Sequence, residues 1–164
     1  YRDHALTIAR HPSETDERMM VRVLAFALHA SDALSFGKGL STDDEPDLWQ
    51  KDRTGSIQVW IDVGLPDEKR IRRACGRADE VFVYGYGGHG ASLWWEAISG
   101  DLERTRNLTV KILSPATTRA LAKLASRNMQ LNCTIQDEQV WLANDNESVL
   151  AEIQTRRVPA PSMR

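Results

Sequence analysis

Cysteine is scarce in this 164-residue chain. Cys75 and Cys133 lie too far apart for a CxxC metal or redox motif, and the plain reading is two reduced, buried thiols in a cytoplasmic protein. Histidine is nearly as rare. His4, His11, His29 and His89 form no HxH or HxxxH pair, which argues against a zinc site built on them. Long hydrophobic runs are missing too: the longest, Val23 to Leu28, falls far short of the roughly 18 residues that span a bilayer, so no membrane span is expected. Nor is there a surplus of either charge. Lys plus Arg number 21 and Asp plus Glu 23, for a net charge of -2, whereas a nucleic-acid coat protein or a polybasic membrane binder would be more basic. No signal-peptide pattern opens the chain, and its first residue is Tyr1 rather than Met, which reads as a missing start. With 41% hydrophobic residues, the chain can bury one core without disulfides.

What is present alternates strand and helix patterns. Residues 1–10 alternate weakly, with Leu6 and Ile8 on one face, and predict a strand that His11-Pro12 ends. Ser13 then reads as a helix cap. Met20, Val21, Leu24, Ala27 and Leu28 recur at helical spacing and predict a helix over 14–30, with Glu14, Asp16 and Glu17 in its first turn. A short apolar piece around Leu34 to Phe36 and the acidic turn Asp43-Asp44-Glu45-Pro46-Asp47 lead to Leu48-Trp49, a second strand candidate. The clearest strand is 57–63, where Ile57, Val59, Ile61 and Val63 share one face and Gln58, Trp60 and Asp62 the other. A helix over 66–77 follows, with Pro66 in its first turn.

Val81 to Tyr84, apolar on both faces, predicts a buried central strand. Helices over 91–98 and 115–126 bracket a strand over 108–113. A hairpin (129–136 and 139–142, turning at Asp137-Glu138) and a last strand or short helix over 147–154 precede a loose tail, 158–164. The expectation is a single α/β (α+β) domain over 1–157, with a mixed central sheet flanked by helices.

Three features compete to carry chemistry. Gly85, Gly87 and Gly90 spell G-x-G-x-x-G between a strand and a helix, the context of a dinucleotide fingerprint. However, the next strand ends at Ser114-Pro115 with no acid for a ribose, so a flexible strand-to-helix loop is the simpler reading. The helix over 66–77 gathers Lys69, Arg70, Arg72, Arg73 and Arg77, which could meet phosphates or simply form a solvated face paired with Asp67 and Glu68. The third is a set of carboxylates: Asp47, Asp62 and Glu17. Asp62 interrupts a strand rich in Val, Ile and Trp, so it sits at an exposed strand end or is held by cations or donors. Glu17 shares a helix face with Val21, Leu24 and Leu28, although charge–dipole stabilisation of the helix start explains it equally. Carboxylates converging on a sheet edge are what a hard cation such as Mg²⁺ takes.

The order helix, short strand, Pro46-Asp47, strand with Asp62-Val63-Gly64, helix, strand resembles the PD-(D/E)XK nuclease-like core. More specifically, the chain resembles the YaeQ family of small bacterial proteins over nearly its whole length. The likeness rests on the runs 4–15 (HALTIARHPSET) and Glu17-Arg18-Met19-Met20, on Gly39-Leu40 and Asp43-Asp44-Glu45-Pro46, and on 60–68 (WIDVGLPDE). Thr134-Ile135-Gln136-Asp137 and Trp141-Leu142 complete it. Members of that family usually begin with a further strand ahead of the position of Tyr1. By the resemblance, Asp47 matches the motif's first acid and Asp62 its second, while Gly64 stands in the slot of the motif lysine. A glycine can neither position an attacking water nor offset charge on a phosphate. Lys69 or Arg70 from the next helix could swing into that space, and Gln58 could orient a water.

Two functional expectations follow. One is a Mg²⁺-dependent phosphodiesterase acting on nucleic acid, with Asp47 and Asp62 as metal ligands, Glu17 assisting and Lys69 as the displaced cation. The other is a catalytically degenerate nuclease-like module that binds nucleic acid or a protein through the basic helix and the glycine loop. A nucleotide-binding enzyme built on the glycine loop is a weaker third.

Overall fold

The structure, a computed structural model, describes residues 4–8, 10, 13–39 and 42–159. Its elements run α1 (Asp16–Leu28), β1 (Leu34–Phe36), β2 (Leu48–Lys51), β3 (Ile57–Val63), α2 (Glu68–Arg77), β4 (Ala78–Gly85), α3 (His89–Ile98), β5 (Leu108–Leu113), α4 (Pro115–Lys123), β6 (Asn132–Gln136), β7 (Gln139–Ala143), β8 (Ser148–Ala151) and β9 (Ile153–Arg157). A six-stranded sheet has the order β1-β2-β3-β4-β5-β9, and β6-β7-β8 form a second, three-stranded sheet. The pairs β1–β2, β2–β3 and β5–β9 are antiparallel, whereas β3, β4 and β5 run parallel. This is a mixed sheet, as the composition and pattern predict.

The side-chain alternation of the strands builds two cores. Ile61 and Val63 of β3 and Tyr84 of β4 pack with Met20 and Leu24 of α1, Leu121 of α4, and Leu142 and Val149 of the small sheet. Trp60 of β3 and Val81 and Val83 of β4 pack instead with Ile71 and Ala74 of α2 and Leu102 beyond α3. The large sheet is therefore a middle layer, with α1, α4 and the small sheet on one face and α2 and α3 on the other. Both parallel crossovers, through α2 and α3, lie on the same face.

Several boundaries differ from the sequence reading for identifiable reasons. Residues 4–8 form no strand, and residues 1–3 and 9 of that expected element, with His11-Pro12, lie outside the described residues. Helix α1 is capped by Thr15, whose hydroxyl accepts from the Arg18 amide at 3.1 Å, rather than by Ser13, and this releases Glu14 for ion pairing. Asp67 caps α2, so Pro66 precedes the helix instead of occupying its first turn. Strand β4 begins three residues before the predicted 81, at Ala78, paired with Ile57. The hairpin turn is as read, and Asp137 and Glu138 adopt φ of 52° and 67°, the left-handed pair a two-residue hairpin requires. The expected last element, 147–154, is two strands in different sheets. Between them Glu152 donates its N–H to Thr117 Oγ1 at 2.9 Å and accepts from the Ser114 amide at 3.1 Å. Cys75 and Cys133 are free thiols and half-buried, less enclosed than expected.

Candidate functional site

Asp47 and Asp62 meet at the carboxyl end of β3, and each is claimed by an arginine. Asp47 enters β2 immediately after buried Pro46 and is itself about 2% exposed. Its Oδ2 accepts from the Val63 amide at 2.8 Å and its Oδ1 from Arg18 Nη2 at 2.7 Å. Arg18 also bonds Glu14 Oε2 at 2.7 Å, and Glu14 Oε1 receives Arg22 at 2.5 Å, making a buried chain of alternating charge. Burial pushes the Asp47 carboxyl above its ordinary pKa, and Arg18 opposes that rise. Burial works to lower the Arg18 pKa, but the Asp47 and Glu14 carboxylates outweigh it and the guanidinium is held more firmly protonated.

Asp62 is equally buried and looks to the other layer. Arg70, in the first turn of α2, grips it side-on, Nε to Oδ2 at 2.9 Å and Nη2 to Oδ1 at 3.1 Å, and Trp60 Nε1 donates to Oδ2 at 3.1 Å. The same guanidinium donates to the carbonyls of Thr42 at 2.9 Å and Glu45 at 2.8 Å, so one side chain ties α2, β3 and the acidic turn together. Burial acts to lower the Arg70 pKa, and the Asp62 pairing overrides it, with Asp47 and Asp43 adding to the rise.

Gly64, at the position where the resemblance led to the expectation of a lysine, has a backbone reason to be glycine. Its φ is +105°, a conformation L side chains rarely adopt, and its amide donates to the Tyr84 carbonyl at 2.9 Å. Nothing lies within 4 Å of a Cβ built there. A lysine there would be strained by the dihedral and not for want of room.

The expected residues divide accordingly. Asp47 and Asp62 lie near the same end of β3 but are held from opposite layers, while Glu17 is half-buried on α1 within electrostatic reach of the Tyr86 phenol, whose hydroxyl bonds the Thr15 side chain. The acid that joins Asp47 is Glu14, through Arg18. Lys69 is exposed on α2, and the cation that reaches Asp62 is Arg70. Gln58 accepts from Gln50 Nε2 at 2.8 Å. The i, i+4, i+8 spacing of Glu14, Arg18 and Arg22 was the sequence signal for the buried charge chain. All four carboxylate oxygens of Asp47 and Asp62 already accept hydrogen bonds. Among the described residues no group of three or more His, Cys, Asp or Glu side chains is placed to hold an ion. As arranged, the pair does not fit a divalent cation, because Arg18 and Arg70 would first have to leave.

The glycine run bends the chain between β4 and α3. Gly87 has φ 126° and Gly88 φ 63°, and Gly90 lies within α3. Outside the site, α2 exposes Lys69, Arg72, Arg73 and Arg77, with Arg72 paired to Glu68. No helix among the described residues is long and apolar enough to cross a membrane.

The sequence and the fold agree with one set of known proteins. The profile of the YaeQ protein family matches residues 1–153. A protein of Salmonella typhi described as uncharacterized protein YaeQ is 41% identical over 160 residues, 98% of this chain and 87% of that protein. Its counterpart in Escherichia coli K12 is 39% identical over 158 residues, 96% of this chain and 87% of the relative. The crystal structure of the YaeQ protein from Xanthomonas axonopodis pv. citri superposes with a TM-score of 0.93 at 50% identity, over 97% of this chain and 90% of that one. The YaeQ crystal structure from Pseudomonas syringae superposes with a TM-score of 0.91 at 32% identity, over 96% and 87%. The chain belongs to the YaeQ family.

Proposed function

We propose that the protein is a cytoplasmic nucleic-acid-binding module on a nuclease-like frame that does not cleave its partner, with the exposed cations of α2 contacting phosphates. The observation that carries this reading is the engagement of both motif carboxylates by arginine, Asp47 by Arg18 and Asp62 by Arg70. The two positive charges a divalent ion would bring are already supplied by the chain, and Gly64 leaves no cation beside the attacking water. The element order α1-β1-β2-β3-α2-β4 supports the nuclease-like frame, since it follows the order of the motif in the sequence. Lys69, Arg72, Arg73 and Arg77 give α2 a phosphate-facing surface despite the net charge of -2.

The rival reading is the Mg²⁺-dependent phosphodiesterase, with Asp47 and Asp62 as ligands and Glu17 and Lys69 assisting. It is favoured by the burial of both acids at one strand end, close enough for the Asp62 charge to add to the rise in the Asp47 pKa. One experiment separates the two. Purified protein is incubated with plasmid, single-stranded oligonucleotide and RNA in Mg²⁺ or Mn²⁺, and its binding to a labelled oligonucleotide is followed across salt concentrations. The binding module retains every substrate intact and shows a log–log salt slope of about -0.7 to -0.9 per phosphate contacted. Cleavage that chelation and Asp47→Asn both abolish establishes the phosphodiesterase instead. Binding to no nucleic acid at any salt overturns the binding reading.

A further inference from the structure

The acidic turn before β2 lies on the basic helix. Arg70 spends Nη1 on the Thr42 carbonyl at 2.9 Å and Nη2 on the Glu45 carbonyl at 2.8 Å, and Arg77, two turns along α2, donates Nη1 to the Asp44 carbonyl at 3.3 Å. Arg70 and Arg77 stand two turns apart on one stripe of α2, and the acidic turn is bonded to both. Its carboxylates add to the cover: Asp43 Oδ1 stands 4.0 Å from Arg70 Nη1. The segment is shaped by its own contacts as well. The Gly39 amide donates to the Pro46 carbonyl at 3.0 Å, the Asp44 amide to Thr42 Oγ1 at 3.1 Å, and Glu45 Oε1 accepts from the Lys38 amide at 3.2 Å. A Cβ at Gly39 would collide with the Asp47 carboxylate, so the turn closes directly onto the arginine-held acid.

We propose that residues 42–45 are an autoinhibitory strap, occupying on α2 the guanidinium donors that would otherwise receive the phosphates of a nucleic acid. This rests on the binding reading above and names how that surface is regulated. Arg70 and Arg77 give three N–H donors to neutral carbonyls, whereas a phosphate oxygen would offer the same donors a full negative charge. The exchange is therefore one that a polyanion can drive. Asp43, Asp44 and Glu45 set its threshold, because their negative charge repels the incoming backbone while the strap is down. Asp62 keeps its side-on hold on Arg70 throughout, so the guanidinium stays aimed outward when the carbonyls leave.

The test alters the strap without touching a buried group. Asp43 has a side chain 87% exposed and Asp44 is also exposed, so the D43N/D44N double variant removes two negative charges at the surface. D145N/E147Q removes two from the exposed turn between β7 and β8 and controls for net charge. Affinity for a fluorescein-labelled single-stranded oligonucleotide is measured by anisotropy at low salt and again at physiological salt. The strap variant binds about fivefold or more tighter than wild type and the control less than about twofold, since only the first acts within a Debye length of the stripe. In wild type, oligonucleotide speeds amide exchange across 42–45. Equal gains in the two variants, or slower exchange across the strap on binding, overturn the inference while leaving the binding reading intact. Failure of wild type and every variant to bind overturns both.

Discussion

Asp47 and Asp62 are two solutions to the same difficulty, a buried carboxylate at the end of one strand. Asp47 is served from the α1 layer by Arg18, a backbone amide and a continuing chain of charge through Glu14 to Arg22. Asp62 is served from the α2 layer by one bidentate arginine whose remaining donors hold the acidic turn. The first arrangement continues inward from one ion to the next. The second joins the Trp60 indole to an arginine whose remaining donors reach the outer turn. A chain of ions suits a structural brace, whereas a guanidinium shared between Asp62 and the turn links the interior to the surface.

The largest effect should come from removing each arginine in turn. Arg70→Ala leaves Asp62 without its ion partner and unfastens 42–45, for an expected loss of about 4–5 kcal/mol in chemical denaturation. Arg18→Ala leaves Asp47 its Val63 amide and Glu14 its Arg22, and should cost about 2–3 kcal/mol. Equal losses would break the comparison.

The α1 layer should also carry an acid-sensitive element at His29. His29 caps α1, with Nε2 2.6 Å from the Tyr84 hydroxyl, and burial lowers its pKa from 6.5 to about 4, with Lys111 assisting. The unfolded chain therefore takes up this proton first. The stability contributed by neutral His29 is complete above pH 6.5 and is lost as pH falls through about 4, roughly 3 kcal/mol in all. His29→Gln should flatten that part of a stability–pH curve. An unchanged curve would remove that element from the comparison.

The smallest effect tests the turn that follows Asp62. Gly64→Ala adds a Cβ in open space at φ +105°, so its cost is purely conformational, about 1–2 kcal/mol by thermal unfolding. A neutral result would mean that the turn relaxes and that a lysine could return to this slot.

Much of the frame was legible in the sequence because its signals are local. Strands 57–63 and 108–113 read at their true limits, since β-branched and aromatic runs bounded by Gly, Asn and Ser leave little latitude. The helix starts did not. Ser13 and Thr15 are both competent caps, and with Thr15 in that role Glu14 sits just ahead of the helix, paired to Arg18 and Arg22. The last segment failed for a different reason. Residues 147–154 have no period of their own, because β8 and β9 answer to separate sheets and Glu152 is fixed by Ser114 and Thr117, more than thirty positions away. At the site, one acid in an apolar strand left two readings for Asp62, an exposed strand end or a hold by cations or donors, and the structure takes the second. Which cation served was decided by α2's phase: Arg70 faces the sheet edge and Lys69, one residue earlier, faces water.

The one-residue passage from β8 to β9 bears on how the molecule assembles. Strand β9 closes the open side of β5, but it is delivered only after α4 and the β6-β7-β8 meander have been laid down, so that side of the large sheet is closed late in chain order. Until then β5 presents an unpaired margin to its neighbours, and the nascent protein is most exposed to sticking at that moment. A carrier or tag joined behind β9 would bear on that closing step, while one placed at the Asp137-Glu138 turn would leave it alone.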